Sequence, residues 1–322
     1  MRLKLVPSET KIDFFNRWRL WLGISAVMIL VSLASFGLQG LNFGIDFIGG
    51  TTIRTESTTD IDVAVYREAI APLELGDVSI TEVFDPNFAD DQHVAQLRIQ
   101  TQEGAEAAAS TMIADVTAAL QAVDPALTVQ AVESVGPEVS GELIWTATLA
   151  VVLAIAAVLV YIWMRFEWQF ALGAVAALVH DVVLTIGVFS ELQIRFDLAI
   201  IAALLTIVGY SLNDTVVVFD RVRENLRKYK KREFKEVLNL SINETLSRTV
   251  MTSVTTLLAL FSLYFLGGDV IRGFVFAMIW GVVVGTYSSI FVASTVLLWL
   301  GVTRDWSKKE DPAGTQFGNI DA

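Results

Sequence analysis

Six stretches of this chain are apolar over about the length that a bilayer demands, and that rules out an ordinary soluble fold. They lie at 20–38, 147–163, 170–189, 198–219, 249–266 and 271–300. A helix needs about 20 mostly apolar residues to cross a hydrocarbon layer of about 30 Å. Lipid offers no partner to backbone N–H and C=O groups, so each stretch must satisfy its own hydrogen bonds as a helix. The composition agrees, with 54% hydrophobic residues and a mean hydropathy of +0.56, well above ordinary soluble domains. The first stretch exceeds the apolar core of about 7–15 residues found in a secretory leader. It reads as an uncleaved span with Trp18 and Trp21 near the interface. The second reads as beginning near Glu142.

The division that follows is an N-terminal segment 1–19, a first helix 20–39, a polar block 40–140, helices two to four over 142–220, a basic loop 221–247, helices five and six over 248–301, and a polar tail 302–322, read as disordered. Six spans put both ends on one side. Residues 221–248 hold nine Lys and Arg, and the N-terminus, the Arg165 turn and the tail are also basic. The positive-inside rule places all of these in the cytoplasm. The block 40–140 then lies outside, in the periplasm of a Gram-negative bacterium. It holds 17 acidic residues against three arginines and no lysine, a net of −14 within a chain total of −12.

That block alternates like a small α+β domain. Strands are expected at 51–57, 78–84, 93–101 and 127–135, where polar and apolar residues interleave. Helices are expected at 60–73, with Ile61, Val65 and Ala69 on one face, and at 104–123, with Met112, Val116 and Leu120 in line. The order β-α-β-β-α-β is that of a ferredoxin-like split βαβ unit. His93 falls at a strand start and reads as a surface residue. The chain has no cysteine and only two histidines, so neither a thiolate nor a His-rich metal site can form. It also lacks the GxxxxGK[ST] phosphate loop, so the residues suggest no nucleotide, no cofactor and no enzymatic reaction.

Polar residues inside apolar helices are costly and default to function. Asp214, with Asn213 beside it, sits within the fourth span. Thr206, Tyr210 and Asp214 recur at four-residue spacing and so share a helix side. Either Asp214 binds protons, or it is a structural carboxylate satisfied by neighbouring hydroxyls. His180 and Asp181, near the middle of the third span, read equally as a proton relay or as a hydrogen-bonded packing pair. Arg248 enters the fifth span from the cytoplasmic side with Thr252 and Thr256 on its face. At the depth of Asp214 it would favour the ionised carboxylate; otherwise it snorkels to headgroups. Residues 241–244 (SINE) match a capping box and place the start of the fifth helix there. The run 221–240, with Phe234 and Leu238 on one side, reads as an amphipathic elbow on anionic lipid rather than as a nucleic-acid patch. Gly273, Ala277, Gly281, Gly285 and Ser289 form a small-residue packing seam.

Seven segments in order carry a resemblance over nearly the whole chain. They are FGIDFIGGT at 43–51, VGPEVSGEL at 135–143, YIWMRFEWQFALG at 161–173, HDVVLTIGVFS at 180–190, GYSLNDTVVVFDRVREN at 209–225, SINETLSRTVMTSVTT at 241–256 and GTYSSIF at 285–291. The chain resembles the SecD/SecF family of the bacterial Sec protein-export machinery, in the resistance-nodulation-division superfamily. The resemblance implies a six-helix half of that type in the bacterial inner membrane, with a ferredoxin-like external domain. It implies a SecD partner that supplies six more helices, with the SecYEG channel, YajC and unfolded secreted polypeptides as further partners. It implies use of the proton gradient, with Asp214 and Arg248 matching the family's proton-pathway positions and Asn213, Asp181 and His180 as further candidates. Two other readings use the same residues: half of a proton-coupled small-molecule exporter, or a scaffold that only stabilises the translocon.

Overall fold

The computed structural model describes residues 10–76, 78–100 and 109–302. Expectations for residues 1–9, for the start of the second domain helix from Gly104 and for the tail beyond 302 fall outside the described residues. Six helices are long and apolar enough to cross a membrane. They are α1 (Trp18–Gln39), α5 (Pro137–Arg165), α6 (Trp168–Glu191), α7 (Leu198–Lys228), α8 (Phe234–Leu266), and a last span formed by α9 (Gly268–Ser288), a π-turn (Ser289–Ala293) and α10 (Ser294–Leu300).

Between α1 and α5 the chain makes a short α2 (Ile45–Ile48), β1 (Gly50–Ser57), α3 (Val63–Ile70), β2 (Val78–Val83), β3 (His93–Gln100), α4 (Ala109–Val123) and β4 (Thr128–Val135). The sheet order is β2-β3-β1-β4 with every pairing antiparallel, the split βαβ arrangement expected from the element order. Ile53, Ile80, Leu97 and Ile99 on one sheet face pack against Tyr66 and Ile70 of α3 and Val116 and Leu120 of α4. The expected face of α3 is off by one position. Tyr66 and Ile70 are buried while Val65 is exposed, because the helix starts at Val63, where Asp62 caps the Ala64 and Val65 amides. His93 is partly exposed and lies 3.2 Å from Asp60.

The Tyr66 hydroxyl donates to Asp124 at 2.8 Å, beneath the sheet. Burial alone would raise the Asp124 pKa. Hydroxyls of Ser57 and Tyr66 and the Ala126 amide outweigh it and hold the carboxyl below its usual range. A depressed folded pKa stabilises the domain above the unfolded pKa of about 3.9, and that contribution is lost as pH falls through the folded value. Amide protection in β1 and β4 is therefore expected to drop on acidification below about pH 4, and Asp124→Asn should flatten this dependence. Hydrogen exchange on the whole chain reads it.

Two helix starts differ from the sequence expectation. The second span begins at Pro137 rather than near residue 142. The fifth begins at Phe234, so residues 241–244 lie inside α8 and do not cap it. Ser241 instead bonds back to the Val237 carbonyl at 2.7 Å. The basic run is not a lipid-facing elbow. It forms the ends of α7 and α8, and Leu238 is fully buried. Asn225 donates to Ser241 (3.0 Å) and Glu244 (2.6 Å), and Arg221 donates to Glu244 (2.7 Å), zipping the two ends together. Residues 10–14 lie across α8, with the Ile12 and Phe14 amides donating to the Asn243 and Asn239 side chains. α9 follows α8 after the single residue Gly267.

The small-residue seam is a line of close packing, as expected, and the structure shows its partner to be α7. A Cβ at Gly281 would lie 2.3 Å from Ile207, and one at Gly285 3.1 Å from Ser211. A second close contact joins α1 to α6, where a Cβ at Gly187 would lie 2.1 Å from Ser32. α6, α7 and α9 form the inside of the bundle. α1 and α5 remain largely exposed along their length.

Candidate functional site

The two intramembrane carboxylates are both buried but live in opposite surroundings. Asp181 is 1% exposed. Its Oδ2 accepts from Ser211 of α7 at 2.6 Å and Ser288 of α9 at 2.7 Å, and its Oδ1 lies 2.9 Å from His180 Nδ1. The His180 ring stacks on Tyr287 at 6.0 Å. The Tyr287 hydroxyl donates to the Trp21 carbonyl of α1 at 2.7 Å and meets Ser25 at 3.0 Å. One node thus ties together α1, α6, α7 and α9. The role of a carboxylate satisfied by neighbouring hydroxyls, considered for Asp214, is filled by Asp181.

Asp214 is 3% exposed, and its Oδ2 is buried with no hydrogen-bond partner. The Tyr210 hydroxyl one turn away and the Thr249 hydroxyl on α8 are likewise buried without partners. Buried polar atoms without partners are rare and mark sites where water or a mobile proton completes the bonding. Thr206 does not belong to this group. It is exposed and bonds back to Ala202 at 2.8 Å. Four-residue steps drift about 40° each on a 3.6-residue helix, so residues eight apart leave a common face. Asn213 is exposed, and its side chain is close enough to act on the Asp214 carboxyl as a hydrogen-bond partner.

Arg248 is the cation whose field reaches Asp214, yet the two are not in ion-pair contact among the described residues, and Arg248 is exposed. Their depths match. Asp214 is 16 residues from the Leu198 end of α7 and Arg248 is 18 from the Leu266 end of α8, or about 24 Å and 27 Å along the axes. Asp181, ten residues from the Glu191 end of α6, is about 15 Å along its helix axis. A carboxylate with one unpartnered oxygen, a guanidinium at its level but out of contact, and two buried hydroxyls without partners can bind a proton in one arrangement and release it in another.

Sequence reading missed the hydroxyls that satisfy Asp181. Ser211 is a polar residue in an apolar helix, and Ser288 adjoins the small-residue seam. Their shared partner lies on a third helix, which no spacing along one element reveals.

A family profile described as "Protein export membrane protein SecD/SecF, C-terminal" matches residues 115–303, and one described as "SecD/SecF GG Motif" matches residues 34–61. The chain is 60% identical over 321 residues to "Protein translocase subunit SecF" of Cereibacter sphaeroides, covering 100% of this chain and 99% of that one. It is 61% identical over 326 residues to the protein of the same name from Rhodobacter capsulatus, covering 99% and 97%. Among solved structures it resembles SecDF of Thermus thermophilus, described as a translocon-associated membrane protein. The TM-score is 0.79 at 33% identity over 93% of this chain. SecDF in its super-membrane-facing form gives a TM-score of 0.67 at 35% identity over 92%. The chain spans 40% of the length of each SecDF chain.

Proposed function

This chain belongs to the SecD/SecF family of protein-export membrane proteins, and from that premise we propose that it works with a SecD partner as a proton-driven motor. The motor draws unfolded polypeptides outward across the bacterial inner membrane, in association with the SecYEG channel and YajC. The single observation that carries this reading is the buried Asp214 Oδ2 without a hydrogen-bond partner, with the Tyr210 and Thr249 hydroxyls of the same two helices likewise unpartnered and Arg248 acting on the carboxyl from α8. Asp214 takes and gives up the proton. Tyr210 and Thr249 hold the water that delivers it, and approach of Arg248 drives its release. Asn213 flanks this path. His180 and Asp181 serve as the packing node that keeps α7 in place.

The energetics suffice. One proton crossing ~180 mV releases about 4 kcal/mol, and that can shift a two-state equilibrium about a thousandfold. The length ratio to SecDF supports a partner, since the remaining three-fifths of those fused chains is the part this chain lacks. The same comparison disfavours a self-sufficient small-molecule exporter.

Export into inverted vesicles, with and without an imposed proton gradient, tests the function. Vesicles lacking this chain should lose the gradient-stimulated fraction and keep the ATP-driven remainder. Equal loss of both fractions would favour the scaffold. The topology has its own check, made clean by the absence of native cysteine. Cysteine at Asp90 should react with an impermeant thiol reagent in spheroplasts and cysteine at Lys231 should not. The reverse pattern would invert the topology and place the proton path on the wrong side for this function.

A further inference from the structure

The α/β domain is anchored to the bundle by two carboxylate contacts, one at the outer end of α7, which carries Asp214, and one in the first turn of α9, which follows the Arg248 helix α8 after Gly267. At the first, Asp46 in α2 accepts from the Leu198 amide, the first residue of α7, at 3.1 Å. Asp197 takes the Ile200 amide at 3.3 Å. First-turn amides lack partners inside a helix, and the positive end of the helix dipole favours carboxylates there. The contact is reinforced around its edge. Phe196 N donates to the Asn42 carbonyl and Gly44 N to the Phe196 carbonyl, both at 2.8 Å, while Phe43, Phe47 and Phe196 pack ring against ring. A Cβ at Gly44 would lie 2.9 Å from Arg195 Nε. Only Gly49 separates α2 from β1. Gly50, at φ +153°, brings β1 so close to β3 that a Cβ would lie 2.7 Å from the Ile99 carbonyl. The joint between Asp46 and the sheet is therefore short and closely packed.

At the second contact, Phe84 follows directly on β2 and exchanges two hydrogen bonds with Asp269 in the first turn of α9. The Phe84 amide donates to Asp269 Oδ2 at 2.8 Å, and the Asp269 amide donates to the Phe84 carbonyl at 3.0 Å. Gly268, at φ +73°, leaves room for Asp85, whose Oδ2 would lie 2.7 Å from a Cβ there. Arg272 braces the Asp269 carboxylate. β2 and β1 are both hydrogen-bonded to β3, so one sheet joins the two anchors.

We propose that this sheet is a crossbar that sets the spacing and tilt of α7 against α8, with Asp46 and Asp269 as positioning residues for the meeting of Asp214 with Arg248. The inference rests on the proton reading of Asp214 and adds the external lever that acts on it. Helices α1 and α5 flank the domain in sequence, but the carboxylate anchors hold the outer ends of α7 and the α8–α9 hairpin. A rocking of the sheet displaces those two ends relative to each other. Stiff helices carry the displacement down to the level of Asp214, and the same rocking is what a polypeptide outside the membrane would feel.

The test uses the full chain with its SecD partner, in inverted vesicles for export and in nanodiscs with spin labels at Arg227 on α7 and Met251 on α8. Asp46→Ala and Asp269→Ala each remove an anchor, and Asp46→Asn keeps an acceptor for the Leu198 amide. Both Ala variants should displace or split the label distance and cut gradient-stimulated export about tenfold, the scale of one charge-assisted hydrogen bond. Export without a gradient should stay constant, and Asp46→Asn should stay near wild type. Gly44→Ala strains the same joint without removing a carboxylate and should move the same distance, which covers an Ala variant that fails to accumulate. Unchanged label distances in Asp46→Ala, Asp269→Ala and Gly44→Ala would overturn the crossbar even if Asp214→Asn is inactive. Displaced distances with a fully active Asp214→Asn would keep the crossbar and remove the proton reading instead.

Discussion

Asp214→Asn is expected to reach the membrane at wild-type level, to co-purify with its partner and to lose the whole gradient-stimulated part of export. The amide has the shape of the acid but cannot titrate. The side chain sits where the wild-type Oδ2 already lacks a hydrogen-bond partner, so the exchange breaks no bond that holds helices together and stability should change little. Loss of the proton site removes up to about 4 kcal/mol of drive per proton, so the effect on gradient-stimulated rate should dwarf that of any surface change. Arg248→Lys should fall in between. It keeps the charge at the right depth but replaces a planar fork with a point charge. The readout is transport of a radiolabelled precursor at fixed ATP, with the gradient imposed or collapsed by an uncoupler. An Asp214→Asn protein stimulated by the gradient as strongly as wild type would leave the scaffold reading standing.

Asp181→Ala is expected to do the opposite: to lower the amount and thermal stability of the protein while the surviving fraction stays gradient-responsive. Asp181 accepts from Ser211 and Ser288 and pairs with His180, all in the interior. Hydrogen bonds within membranes average only about 0.6 kcal/mol each, so three amount to about 2 kcal/mol. Leaving the Ser211 hydroxyl and His180 Nδ1 without their acceptor adds about 1–3 kcal/mol, while Ser288 keeps the Gly285 carbonyl. A total near 3–5 kcal/mol is enough to unfasten α7 from α6 and α9 in a marginally stable protein. Asp181→Asn keeps an acceptor for the two serines and should be milder. Membrane abundance and a detergent melting curve measure this. A stable Asp181→Ala protein lacking only gradient stimulation would make Asp181 a proton carrier instead of a fastener.

Much of this architecture is legible in the chain. The six spans follow from apolar length, and the strand order of the α/β domain follows from alternation. The seam at Gly273, Ala277, Gly281 and Gly285 follows from spacing. The errors at the start of α8 and in the basic run have one cause. Local signals give way where a neighbouring helix supplies the partner. Residues 241–244 carry a capping pattern, yet α8 runs through them because Asn225 and Arg221 of α7 satisfy Ser241 and Glu244 from the side. The basic run suggests a lipid-facing elbow, yet Leu238 finds a protein core first. The site was half readable for the same reason. Asp214 announces itself as a charge in an apolar helix. The difference between it and Asp181 depends on which serines of other helices reach each carboxylate, and that exists only in three dimensions. Asp46 looked like one residue of a glycine-rich motif, and its hold on α7 spans more than 150 positions of sequence.

The most direct measurement is proton entry into proteoliposomes holding the chain and its SecD partner, followed with an internal pH dye under an imposed membrane potential. With translocating polypeptide engaged, the wild-type complex should acidify the lumen and the Asp214→Asn complex should match empty liposomes. Acidification at the same rate in both would contradict a proton path through Asp214.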